Sequence, residues 1–316
     1  MIAESTLVQA GLLVAGVVLL YVGAEMLVKG ASEVALGFGL KPVTVGVTVI
    51  AFATTAPELF VAIVGAVTVS TDIGLGAIIG SNIANIGLVL GIAAMIRPVD
   101  VSASVLRYQV SFMLLAALLL VGLGWDGQIA WPGGTVLLAV LVGFTAVIGR
   151  QIRDNQAAVT DADLADAPDP GITEAALLIG GLGALVFGSR WLISGGRGVL
   201  AAAGVSDLVI GLTVLAIGTS LPELAASVVS AVRGEASFSV GNVVGSNIYN
   251  IVAVIGILAV LEPISVAPGI KTFEFPVLIG FTVVVIGLMW RGKRITRLNG
   301  ALLTLGYAGF LTALAL

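Results

Sequence analysis

Long apolar runs, separated by short charged or turn-forming segments, follow one another along the whole chain. A helix needs about 20 predominantly apolar residues to cross the hydrocarbon core of a bilayer, and most of these runs reach that length. The pattern therefore predicts ten membrane-spanning helices. The predicted spans are residues 6–28, 42–68, 75–96, 105–124, 129–149, 173–195, 208–232, 240–261, 273–290 and 297–316.

Composition supports a membrane protein and excludes several chemistries. Of 316 residues, 59% are hydrophobic and 10% are charged, whereas soluble domains average about 25% charged residues. The absence of cysteine and histidine excludes disulfides, thiolate metal sites and imidazole chemistry. We expect a lipid bilayer as the surroundings, no nucleic-acid partner and no bound cofactor.

A polar stretch divides the ten spans into five and five. We expect a first five-helix repeat at 1–149, an acidic linker at 150–172 and a second five-helix repeat at 173–316. The linker contains "DADLADAPD", which lacks the glycine and the closing glutamate of an EF-hand loop. A solvated linker is the favoured interpretation, and its acidity points to a prokaryote, with a halophilic archaeon as the candidate source.

The distribution of basic residues predicts the orientation. If the N-terminus is outside, 11 of the 14 lysines and arginines fall in cytoplasmic loops, as the positive-inside rule requires. The prediction is a multi-pass protein of the cell membrane with both termini extracellular and the linker cytoplasmic.

The two halves repeat each other at a shift of 165 residues. "GVTVIAFATTAPEL" (46–59) matches "GLTVLAIGTSLPEL" (211–224) at 8 of 14 positions, and 76–98 matches 241–263 at 12 of 23. Because each half has an odd number of spans, the second half enters the membrane from the opposite face. The predicted fold is all-α, with two inverted-topology repeats, an architecture common among secondary transporters.

Each repeat carries a proline followed by a glutamate within an apolar span: Pro57–Glu58 and Pro222–Glu223. Proline removes a helical hydrogen bond, and a central carboxylate costs roughly 3 kcal/mol on insertion scales. A broken helix at membrane depth is tolerated where it lines a cavity or is buried in protein. We therefore predict that helices 2 and 7 are broken and that both glutamates are functional.

Oxygen atoms surround both breaks. The hydroxyl-bearing neighbours are Thr54, Thr55, Thr219 and Ser220. Freed carbonyls, hydroxyls and carboxylates together form the ligand set that hard cations prefer.

The third and eighth spans add a polar stripe each, in "GSNIAN" and "GSNIYN". Ser81 and Asn85 are four residues apart and share a helix face, as do Ser246 and Asn250. Helix–helix hydrogen bonding is the alternative role for these side chains. For the middle asparagines, Asn82 and Asn247, packing and function remain equally open.

The charges of Glu58 and Glu223 match one Ca²⁺ or two or more Na⁺ ions. Ca²⁺ takes about 6–8 oxygen ligands, which such a site can supply, whereas Mg²⁺ dehydrates reluctantly and fits less well.

At these motifs the sequence resembles the calcium/cation antiporter superfamily and, within it, the microbial sodium/calcium exchangers. "GTSLPE" (218–223) matches the family's G-[TS]-S-x-P-E motif fully, while "ATTAPE" (53–58) departs at Ala53 and Thr55. The resemblance implies alternating access, in which the first and sixth spans slide past a core of eight helices. The ion ligands that it implies are Glu58, Glu223, Thr54, Thr55, Thr219, Ser220, Ser81, Ser246, Asn85, Asn250 and the carbonyls of Ala51 and Ala216.

One departure from the family concerns ion selectivity. Many relatives have aspartate at the end of one G-S-N motif, where this chain has Asn85 and Asn250. The resemblance then argues against potassium dependence and favours a branch in which Li⁺ substitutes for Na⁺. The proton-coupled branch fits poorly because its G-N-x-x-E pattern is absent.

The leading hypothesis is a secondary antiporter that exchanges Na⁺ for Ca²⁺. The alternatives are an antiporter of the same fold driven by H⁺ or Li⁺ and, in another class, a cation channel, although no filter-like run is present. An enzyme is not expected, because no nucleophile–base pair is evident. A monomer is the working hypothesis for the oligomeric state.

Overall fold

The computed structural model describes residues 2–38, 40, 42–55, 71–157, 171–203, 218 and 220–315. Within these residues, every element longer than two residues is helical. The longer helical segments, numbered in chain order, are α1 (Ile2–Gly37), α2 (42–55), α3 (71–96), α4 (103–124), α5 (Trp131–Ala157), α6 (Ile172–Ala202), α7 (Leu221–Arg233), α8 (236–261), α9 (268–292) and α10 (Arg297–Ala315).

These helices confirm the all-helical membrane architecture. In the described part of the chain, seven helices are long and apolar enough to cross a membrane: α1, α3, α4, α5, α6, α8 and α9. The remaining three, α2, α7 and α10, occupy the positions of the predicted second, seventh and tenth spans. Residues 56–70 and 204–217 lie outside the described residues, so α2 and α7 are described in part.

The two repeats run in opposite directions, as predicted. A Cβ atom at Gly16 of α1 would meet Leu192 of α6, whereas one at Gly30 would meet Leu177. Moving forward along α1 therefore means moving backward along α6. Two helices that correspond under the 165-residue shift are thus antiparallel, which is the defining property of an inverted repeat.

Glycine stripes allow α1 and α6 to pack with their backbones in close contact. The stripes repeat every seven residues, and the two sets are related by the 165-residue shift. A Cβ at Gly23 would lie 2.8 Å from the carbonyl oxygen of Gly181, so any side chain there would force the helices apart. The stripe glycines are Gly16, Gly23 and Gly30 on α1 and Gly181, Gly188 and Gly195 on α6.

Four two-residue strands link the repeats crosswise. They are β1 (Val99–Asp100), β2 (Gln128–Ile129), β3 (Ile264–Ser265) and β4 (Arg294–Ile295). β1 pairs with β4 and β2 pairs with β3, both antiparallel. Each pair therefore joins a strand of the first repeat to a strand of the second.

Helices α3 and α8 form the centre of the molecule. Of the most apolar 18 residues in each helix, 78% in α3 and 83% in α8 are buried, against 22–39% in the other five membrane-length helices. Both helices contain a wide π-type turn, at Asn85–Leu90 and Asn250–Ile255. Such turns are frequent at functional sites, and here each begins at a predicted ligand.

Candidate cation site

Helix α7 begins at the motif that contains the buried glutamate. Ser220 has non-helical angles (φ −90°, ψ 8°), Leu221 is the first helical residue and Pro222 the second. Proline is tolerated in the first helical turn because the N–H that it lacks would have no intrahelical partner there. Helix α7 therefore begins inside the predicted seventh span, at the proline motif, whereas Pro57 lies outside the described residues.

The start of α7 places Glu223 where a negative charge is favourable. Glu223 is the third residue of the helix, and the free N–H groups of a first turn carry partial positive charge. The residue is 0% exposed. A carboxylate buried at membrane depth is stable when it has charged or polar partners, which makes Glu223 the electrostatic centre of this site.

The last described residues of α2 bring oxygen atoms towards the same region. Thr54 and Thr55 are buried, and the Thr54 hydroxyl lies 3.3 Å from the Ala51 carbonyl and 3.3 Å from Asn242 Oδ1. A Cβ at Gly245 of α8 would lie 2.6 Å from the Ala51 side chain. The glycine of the second G-S-N motif therefore permits α2 to pack closely against α8.

Asn242 connects α2 to α7, and the sequence analysis missed it. Its Nδ2 donates to the Glu223 carbonyl over 3.3 Å and to Ser227 Oγ over 3.1 Å, while its Oδ1 accepts from Thr54. The repeat comparison gave no sign of it because position 77 of the first repeat is alanine. The available signal was spacing, since Asn242 lies four residues before Ser246 on the same helix face.

We expect Asn242→Leu to lower the free energy of unfolding by about 2 kcal/mol, because it leaves buried groups on α2 and α7 without their partner. Thermal unfolding of the purified protein in detergent would measure the change. Leucine at the repeat-related Ala77, which is exposed, is the matched control and should have little effect. Equal melting temperatures for both variants would contradict this role of Asn242.

The two predicted polar stripes are buried where α3 meets α8. Ser81, Asn85, Ser246 and Asn250 are at most 3% exposed. Asn85 Nδ2 donates to Asn247 Oδ1 over 3.5 Å, and Asn250 Nδ2 donates to Asn82 Oδ1 over 3.2 Å. The last asparagine of each stripe therefore bonds to the middle asparagine of the other motif.

Several buried oxygens of the predicted ligand set accept or donate no hydrogen bond within the described structure. Buried polar atoms almost always have a hydrogen-bond partner, so a set of buried oxygens without one indicates that a ligand is missing. Every one of these oxygens can coordinate a hard cation. They are Thr55 Oγ1, Ser220 Oγ, Ser246 Oγ, Asn85 Oδ1 and Asn250 Oδ1.

Three predicted ligands, Glu58, Thr219 and Ala216, lie outside the described residues. In the described part of the chain, no three Asp or Glu residues come together. Among the buried residues that the structure describes, Glu223 is the one with a charged side chain, and the other predicted ligands carry hydroxyl and amide oxygens.

An inverted helical repeat with a buried oxygen-rich site between its halves is the architecture of a secondary transporter. Comparison with known proteins identifies the family of transporter. The family model described as "Sodium/calcium exchanger protein" matches residues 8–149 and 173–316. The chain belongs to this sodium/calcium exchanger family.

Individual relatives cover nearly the whole chain. The inner membrane protein YrbG of Escherichia coli is 33% identical over 98% of this chain and 97% of its own length. The sodium/calcium exchanger MaX1 of Methanosarcina acetivorans is 27% identical over 96% of this chain and 97% of its own length. A solved structure of the sodium-calcium exchanger NCX_Mj superposes with a TM-score of 0.85 at 28% identity, covering 98% of this chain and 99% of that chain.

Proposed function

We propose that the protein is a secondary antiporter that couples the movement of Na⁺ in one direction to that of Ca²⁺ in the other. The observation that carries this proposal is the set of buried oxygens without hydrogen-bond partners on α2, α3 and α8 and at the start of α7, the helix that carries the buried carboxylate of Glu223. Membership of the sodium/calcium exchanger family supports the choice of ions. The ions are substrates, and the transport chemistry needs no cofactor.

We assign ion coordination to the predicted ligands. Glu223, Thr55, Ser220, Ser246, Asn85 and Asn250 are supported by their burial, and all but Glu223 carry an oxygen that lacks a partner in the described structure. Thr54, Ser81 and the Ala51 carbonyl are supported by their position at the same buried region. Glu58, Thr219 and the Ala216 carbonyl are assigned by their repeat-related partners alone.

For transport, the site must open to each side in turn. The close backbone contact of α1 with α6 supports movement of these two helices as one unit against the remaining helices. Glu25 of α1 pairs with Arg233 at the end of α7, so this unit is also tied to the core by a partly exposed ion pair. Such a pair contributes about 0–1 kcal/mol and can therefore break during the cycle.

For membrane orientation, ion selectivity and oligomeric state, we adopt the predictions made from the sequence. We propose that the protein lies in the cell membrane with both termini outside and the acidic linker inside. We further propose that Li⁺ substitutes for Na⁺, that K⁺ is not required, and that the protein works as a monomer. The two five-helix repeats at 1–149 and 173–316 would then form one transport unit.

Purified protein in sodium-loaded vesicles tests the function. On dilution into sodium-free buffer, the vesicles should take up radioactive calcium, and a sodium ionophore should abolish the uptake. Repeating the dilution with Li⁺, K⁺ and proton gradients identifies the counter-ion. Calcium uptake that persists without any counter-ion gradient would overturn exchange and favour a channel.

A further inference from the structure

Four buried asparagines form two hydrogen-bonded pairs where α3 meets α8. Each pair joins the last asparagine of one G-S-N motif to the middle asparagine of the other: Asn85 to Asn247, and Asn250 to Asn82. All four are at most 2% exposed. The pairs exchange under the 165-residue shift, and we call them together the amide clasp.

The clasp determines which end of each predicted ligand faces the site. A side-chain amide has donors on its nitrogen and acceptors on its oxygen, and a cation is attracted to the oxygen end alone. The nitrogens of Asn85 and Asn250 are occupied in the clasp, while their oxygens have no hydrogen-bond partner in the described structure. Rotating either amide by half a turn would direct N–H groups at the ion.

We propose that Asn82 and Asn247 are positioning residues, which hold the amides of Asn85 and Asn250 with their carbonyl oxygens towards the transported cation. This proposal rests on the proposed function, because it refines the same site. It assigns a transport role to two side chains that spacing alone left open between packing and function.

The two halves of the clasp are anchored differently. Asn247 Nδ2 donates to the thioether sulfur of Met113 over 3.8 Å. The repeat-related position of Met113 is Leu278, which offers no acceptor, and Asn82 Nδ2 has no partner in the described structure. The amide of Asn247 is therefore held at both ends, by Asn85 and by Met113, whereas the amide of Asn82 is held only at its oxygen, by Asn250.

This asymmetry determines where the site accepts an additional carboxylate. An aspartate at position 250 needs a donor, and Asn82 can supply one by turning its amide over. An aspartate at position 85 likewise needs a hydrogen-bond donor, which Asn247 can supply only by turning its amide over. That rotation breaks the hydrogen bond from Asn247 to Met113 and places the amide oxygen against the thioether sulfur. The geometry therefore predicts that the site tolerates an added carboxylate better at position 250 than at position 85.

The first experiment measures Asn82→Leu in sodium-loaded vesicles and in detergent. The KM for calcium should rise about tenfold, because the amide of Asn250 is no longer oriented. The calcium-dependent rise in Tm should shrink as well. In an Asn250→Ala background, Asn82→Leu should cause no further loss, whereas an equal loss in both backgrounds would show a structural role and overturn the proposal.

The second experiment compares Asn250→Asp with Asn85→Asp, which add the same charge at repeat-related positions and leave Asn82 and Asn247 intact. Asn250→Asp should keep a calcium KM within about threefold of the original protein, and Asn85→Asp should lose about tenfold or more. Met113→Leu should release Asn247 and restore most of the loss in Asn85→Asp. Equal KM values for the two aspartate variants would refute the asymmetry.

Failure of this proposal is distinguishable from failure of the proposed function. The unsubstituted protein alone decides whether a sodium gradient drives calcium uptake. If it does, the variants decide whether Asn82 and Asn247 position the amides of Asn85 and Asn250. If it does not, a calcium-dependent rise in Tm still reports ion binding, and the same comparisons between variants apply to that shift.

Discussion

Replacing Glu223 by glutamine should reduce sodium-driven calcium uptake by at least about 100-fold. A unit charge about 4 Å from another contributes roughly 4 kcal/mol at an effective dielectric constant near 20, and each ~1.4 kcal/mol changes an equilibrium tenfold. Calcium should be affected more than sodium, because its double charge depends more on the carboxylate. Glutamine keeps the shape and one oxygen, so the substitution isolates the charge.

Vesicle uptake at a range of calcium concentrations measures this effect. Glu262→Gln, at an exposed position just after α8, makes the same chemical change and should transport normally. The thermal stability of Glu223→Gln without calcium should be unchanged or higher, since a buried charge has been removed. Uptake at the original rate by Glu223→Gln would exclude this carboxylate from the site.

Valine at Gly188 should disrupt the contact between α1 and α6 and destabilise the protein by several kcal/mol. A Cβ at this position would lie 2.8 Å from the Leu20 nitrogen and 3.0 Å from the Gly16 carbonyl oxygen, both of which are backbone atoms that cannot turn aside. Overpacking usually costs about 1–3 kcal/mol, and here the neighbours are rigid. Transport should fall together with the melting temperature.

The matched control is Gly183→Val on the same helix. A Cβ there would meet no described atom within 4 Å, so the substitution changes helix propensity equally without touching α1. Detergent melting curves of both variants measure the difference. If Gly183→Val lowers the Tm as much as Gly188→Val, helix propensity and not the contact with α1 explains the loss.

Much of the fold could be predicted because the bilayer restricts it severely. A chain in lipid must satisfy its backbone within helices, so apolar length alone located both ends of α3, α4 and α8 to within four residues. The repeat then gave the relative orientation of the two halves, which hydropathy does not. Two matched copies that each have an odd number of spans must lie in the membrane in opposite orientations. The antiparallel contact of α1 with α6 confirms this reasoning.

The candidate site was predictable where it obeys the repeat and was missed where it does not. Asn85 and Asn250 were evident because the same residue type recurs at repeat-related positions. Glu223 was evident because a carboxylate is costly inside a membrane. Asn242 has alanine as its counterpart, so symmetry concealed it. The role of Met113 depends on a contact between helices, which neither periodicity nor repetition encodes.

The paired strands bear on the history of the chain. β1 pairs with β4 and β2 with β3, so each half completes its short strands with those of the other. Two identical copies of one half, inserted in opposite orientations, could exchange the same strands about a two-fold axis. The present chain thus has the form of an antiparallel homodimer whose subunits were fused, after which Met113 and Leu278 were free to diverge.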